Sequence, residues 1–96
     1  MSEITLPAYY LELSRQERYN VRLEYIKIQG GKCFYCKELL SENPPEHITE
    51  KSIKWYLFPK EFLKHPIHLQ HNHKNGLTEG AVHSLCNAVL WQYHGR

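Results

Sequence analysis

No run in this 96-residue chain approaches the roughly 20 consecutive apolar residues that a membrane-spanning helix requires, so no membrane partner is expected. The opening stretch MSEITLPAYYLELSRQ lacks the basic start and apolar core of a secretory signal. Cysteine is scarce, and its count of three cannot be consumed in pairs within one chain. These absences together favour a reducing compartment and place metal binding ahead of disulfides. An excess of one charge is lacking too. Twelve Lys and Arg against ten acidic residues leave a net charge of +2, too even to announce a nucleic-acid binder by itself. The length allows one small domain, 1–96, of a size that commonly needs a metal or a disulfide as a staple.

What is present begins with a helix. Ser14 and Glu17 form a capping box, Tyr19, Leu23 and Ile26 follow at helical spacing, and Gly30-Gly31 closes the element, predicting a helix over 14–29. Arg15, Arg18 and Arg22 lie among the residues of its other faces, mixed with Glu17 and Glu24, a pattern that fits a solvated surface as well as a phosphate-binding one. Residues 41–50, with Pro44-Pro45, read as a loop. The stretch KSIKWYLFPKEFLKHP interleaves lysines with Trp55, Tyr56, Phe58 and Phe62. Such a run either stacks on bases or forms core with lysine stems lying over it, and a short helix or strand near 53–58 with a helical turn after Pro59 is expected. In the last third, IHLQHNH suits a strand, Asn75-Gly76 a hairpin turn, LTEGAVH the returning strand with a glycine at a bulge or close contact, and SLCNAVLWQYHG a helix. Leu85, Ala88, Val89 and Trp91 are its expected packing residues.

Two knuckles of matching spacing stand out. Cys33-Phe34-Tyr35-Cys36 is C-x-x-C, and His83-Ser84-Leu85-Cys86 is H-x-x-C at the junction of hairpin and helix. Three thiolates and one imidazole make a closed tetrahedral zinc site, with no position left for water, so the metal is expected to be structural. The redox use of C-x-x-C would want a βαβ context that the sequence does not offer. A knuckle on a loop, a hairpin, and a second knuckle opening a helix together outline a treble clef, and the fold class expected is α+β. The zinc uses none of the histidines crowded into HLQHNHKNG. His71 on a strand, with Asn87 in the first turn of the helix packed against it, has the layout of a one-metal nuclease in which an imidazole deprotonates water. His65 and His68 are read as incidental.

The segments GGKCFYC (residues 30–36) and HLQHNHKNGLTEGAVHSLCNAVLWQYHG (residues 68–95) resemble the HNH, or ββα-metal, endonucleases, most closely the phage branch that contains recombination endonuclease VII and the small free-standing HNH proteins of T7-like phages. The resemblance implies a DNA endonuclease with His71 as general base, His73 supporting or contacting the phosphate, and Asn87 as a ligand of a catalytic Mg²⁺ or Mn²⁺. Cys33, Cys36, His83 and Cys86 would hold zinc, with His83 where that branch usually has cysteine. The ββα-metal motif would span 67–94. Gln70 stands where the branch commonly has aspartate, and as a neutral amide it would be a weaker metal ligand, one that favours softer ions. DNA is the implied partner, with Lys74, Lys32, Arg15, Arg18 and Arg22 on phosphates. The implied location is the cytoplasm of a phage's host, and a monomer or a homodimer would serve. Two alternatives stay open: a zinc-stabilised DNA-binding module that does not cleave, and a protein-binding module acting through residues 55–62.

Overall fold

In a computed structural model of the protein, residues 4–95 are described. The architecture is α+β: a two-stranded antiparallel sheet with helices packed around it. Helix α1 spans Arg15–Ile28. Its capping box is complete, with Glu17 N–H donating to Ser14 Oγ at 3.1 Å and Ser14 N–H to Glu17 Oε1 at 2.9 Å. A cap of this kind stabilises by about 1 kcal/mol. The helix ends where Gly30 and Gly31 take positive φ angles of 66° and 78°, as expected from sequence.

The buried face of α1 differs from the expected one. Val21 and Tyr25 enter the core, whereas Tyr19 and Leu23 are about half exposed. The rotation is set by how α1 docks on the sheet. The Tyr25 hydroxyl donates to Thr78 O, and the Gln29 amide bonds both the N–H and the C=O of Ala81, each at 2.9 Å. A helix pinned by Tyr25 and Gln29, one turn apart, must turn Val21 inward as well.

Strands β1, Ile67–His71, and β2, Thr78–His83, form the expected hairpin. Their register pairs Gln70 with Gly80 and His71 with Thr78, so Glu79 is the extra residue of a bulge. The reversal is longer than a two-residue Asn-Gly turn. Asn72 accepts from the amides of Lys74 and Asn75 through Oδ1, Gly76 N–H donates to Asn72 O, and Gly76 sits at φ 76°. Asn72 thus acts as the cap of a wider loop. Gly80 is the close contact foreseen in the sequence: a Cβ there would lie 2.8 Å from Phe34 Cβ and 2.7 Å from Gln29 Oε1.

Helix α3, Ser84–His94, follows β2 directly and stops at Gly95, which is left-handed at φ 67°. It buries Cys86, Ala88, Val89 and Leu90 against the sheet, while Leu85 is partly buried and Trp91, 40 % exposed, packs on Phe58 outside the core. Residues 41–50 are not all loop. Helix α2, Glu46–Thr49, starts directly after Pro45 and places Ile48, 1 % exposed, under α3. Burying that one side chain removes enough apolar surface to stabilise by about 2 kcal/mol. A 3₁₀ turn at Trp55–Leu57 matches the expected short element, and a turn follows Pro59. This segment is tied to α3 where Gln92 Oε1 accepts from Lys54 N–H at 2.8 Å and the Tyr93 hydroxyl donates to Ser52 O at 2.6 Å.

Candidate functional site

The two knuckles converge. The ligand atoms of Cys33, Cys36, His83 and Cys86 all lie within 4.8 Å of one another, and all but Cys36 are buried. His83 Nδ1 is 3.4 Å from Cys36 Sγ and 3.6 Å from Cys86 Sγ. A tetrahedral zinc with Zn–N of about 2.0 Å and Zn–S of about 2.3 Å separates nitrogen from sulfur by roughly 3.6 Å, so the spacing fits the ion. The imidazole is oriented for the role. Its Nε2 lies 2.9 Å from Leu39 O and 2.8 Å from Glu42 O. Carbonyls only accept, so the proton is on Nε2 and the Nδ1 lone pair faces the sulfurs, as carbonyl partners arrange for a metal-bound histidine. Amides of Tyr35 and Cys36 point at Cys33 Sγ at 3.4 and 3.5 Å, ready to offset thiolate charge.

A hydrogen bond from Cys86 draws the Cys33 thiol down, while Cys86 is pushed up chiefly by that same bond and Cys36 chiefly by burial. A dication bound at the cluster would hold all three as thiolates.

Beside this scaffold runs a groove of about 810 Å³. Its lining includes Arg15, Arg18 and Arg22 of α1, His68, Gln70 and His71 of β1, His73 and Asn87, and the rings of Phe58, Phe62 and Trp91. Most of the residues singled out in the sequence are thus gathered in one place. Lys32 and Lys74 are not: Lys74 sits in the hairpin loop, Lys32 follows α1 beside the knuckle, and neither lines the groove.

Asn87 does face the hairpin that carries His71, and each of the two has a partner of its own. Asn87 bonds His68, with Nδ2 3.0 Å from His68 Nδ1. His68 is therefore no bystander. Burial holds its pKa below the ordinary value, the carbonyls of Phe62 and His65 pull the other way, and the neutral ring accepts from the Asn87 amide. His71 stacks instead on Tyr10, ring centroids 3.9 Å apart and 8° from parallel, with His73 at 4.5 Å. Arg18 lies over Tyr10 at 4.1 Å and donates from Nε to Tyr10 O. Tyr10 reaches this position because residues 8–10 pair with the hairpin: Ala8 exchanges bonds with Thr78, and Tyr10 N–H donates to Gly76 O at 2.9 Å. Burial, then the charges of His73 and Arg18, lower the His71 pKa, opposed by Glu79. These effects favour the neutral ring.

Sequence reading passes over Tyr10 and takes His68 as incidental. An isolated tyrosine far from the motif carries no spacing signal. The two-residue offset of His68 from Gln70, placing both on one strand face, was the one available hint for His68.

Comparison with protein-family models, curated proteins and solved structures finds no match for this chain. The site's chemistry therefore rests on its own residues. For a catalytic cation they form an unusual set. The chain has no aspartate, and among the described residues no carboxylate lines the groove. Gln70, 2 % exposed, donates from Nε2 to His71 O at 3.0 Å and lies 3.4 Å from Glu79 Oε1. Its amide serves the hairpin as a donor. Such amide and imidazole groups do not fit Mg²⁺, which wants anionic oxygen, and are better matched to Mn²⁺ or another softer ion.

Proposed function

We propose that this chain is a small endonuclease of the HNH type, hydrolysing phosphodiester bonds in DNA, built on a zinc-held treble clef. The observation that carries the reading is the setting of His71. A neutral imidazole, held by stacking at the head of a hairpin whose other end enters the Cys₃His cluster, faces a groove walled by three arginines. A neutral ring accepts the proton of an attacking water. Guanidinium groups bind a phosphodiester and stabilise the charge that gathers on it as the bond breaks. His73, beside His71, would contact the phosphate, and Asn87, its amide oriented by His68, supplies a polar group across the groove. Zinc at the closed cluster holds the second knuckle, and with it the start of α3, in place.

Zinc-loaded protein incubated with supercoiled plasmid, with no added cation, with Mg²⁺ or with Mn²⁺, tests this. Nicked product is expected, more with Mn²⁺ than with Mg²⁺, and His71→Ala should lower the rate by roughly 10²–10⁴ with the fold intact. An undiminished rate in His71→Ala removes the mechanism. That no carboxylate among the described residues lines the groove favours a second reading, a DNA-binding module that does not cleave. Retention of plasmid in a gel-shift assay without nicking under any ion would establish it instead.

A further inference from the structure

The aromatic segment is left over by the mechanism above. Phe58 packs edge-on against Trp91 at 5.1 Å and against Phe62 at 4.8 Å, and Phe62 meets His68 at 4.8 Å. These rings line the same groove as the arginines. The lining does not end there. Phe58, Pro59 and Phe62 also line a second, open hollow with Trp55, Tyr56 and Lys60. Tyr56 is 81 % exposed and Trp55 44 % exposed, so Tyr56 spends most of its surface on solvent and Trp55 nearly half.

We infer that the groove and this aromatic rim together form a binding track for unpaired nucleotides, with Arg15, Arg22 and Lys64 on the phosphates and Trp55, Tyr56 and Phe58 stacking on bases. The charge of the arginines in the same groove selects the occupant. An apolar peptide would use the rings and gain nothing from three arginines, whereas a polyanion with flat apolar groups uses both. The base pairing decides the form. A duplex presents phosphates outward and keeps its bases stacked on each other, so exposed rings find partners only where bases are unpaired, as in a single strand, a gap or a frayed end. The inference rests on the nucleic-acid reading above and narrows its substrate.

The test measures binding, not cleavage, and so stands apart from the nuclease mechanism. Zinc-loaded protein without added Mg²⁺ or Mn²⁺ is titrated with fluorescein-labelled oligo(dT) and with a duplex carrying the same number of phosphates. The single strand should bind several-fold more tightly and quench the fluorescence of Trp55 and Trp91. Tyr56→Ala, which removes an exposed ring and leaves the core untouched, should weaken the single strand roughly 5-fold or more while sparing the duplex, and Tyr56→Phe should restore it. Equal affinity for the two forms, or a Tyr56→Ala loss shared equally between them, overturns the track. Nicking of plasmid duplex together with that result would overturn the track alone. Absence of binding to either oligonucleotide would overturn both readings.

Discussion

At the scale of single residues, the side chain with the largest unforeseen role is Tyr10. It lies between His71 and Arg18, covering one face of the imidazole and keeping the guanidinium one ring away from it. Burial is the leading cause of the lowered His71 pKa, so Tyr10 contributes to keeping the base unprotonated. The sign is specific. A proposed base with a lowered pKa stays active into mild acid, and its rate falls only when the pH drops through that lowered value. In Tyr10→Leu the ring's cover is reduced, the pKa moves up toward the ordinary 6.5, and the acid limb of the pH–rate profile should move up with it, while Tyr10→Phe keeps the stack and the limb. Plasmid-nicking rates across pH check this. An unchanged limb in Tyr10→Leu would show that the stack does not govern the base.

At the scale of elements, the hairpin holds the molecule together. Strand β2 is bonded by Gln29 from α1, by Phe34 N–H at Ala81 O, and by residue 8 at Thr78. Gly80 lies between two of these attachments, and its missing side chain lets the first knuckle approach. Gly80→Ala would drive a Cβ into Phe34 Cβ, an atom next to the backbone that cannot swing aside. Overpacking of this kind costs about 1–3 kcal/mol. A denaturant midpoint lowered by that amount, with weakened zinc retention because Phe34 sits between Cys33 and Cys36, is the expected outcome. A midpoint equal to that of the unaltered protein would mean the knuckle is not seated on β2 as described.

At the scale of the whole molecule, the core is small and the zinc cluster joins its parts. Cys33 and Cys36 come from the loop after α1, while His83 and Cys86 come from β2 and α3, so one ion would join both halves of the chain. Structural zinc sites contribute apparent binding free energies of about 10–16 kcal/mol, which matches or exceeds the 5–15 kcal/mol by which whole domains are stable. Stripping the metal with a chelator, or Cys36→Ser, should therefore unfold much of the chain, visible as loss of helical circular dichroism and restored by adding zinc to the chelated protein. A far-ultraviolet spectrum unchanged after complete zinc removal would show that the core stands alone.

The sequence by itself determined what depends on neighbours along the chain. The capping box of α1, the stop at Gly30-Gly31, the strands on either side of Asn75-Gly76, the close contact at Gly80 and the two knuckles are all set within a few residues by backbone conformation and ligand spacing, and all stand where they were expected. Tertiary structure decided whatever depends on how elements turn toward one another. Which face of α1 is buried followed from Tyr25 and Gln29 finding β2, and Pro44-Pro45 turned out to introduce a helix because Ile48 had a place under α3. Asn87 met His68 instead of His71 for the same kind of reason. The side chains of a strand alternate, and the bulge at Glu79 breaks the register between Gln70 and His71, so the partner of each side chain is fixed by pairing across the sheet and by the docking of residues 8–10, contacts that no spacing along the chain encodes.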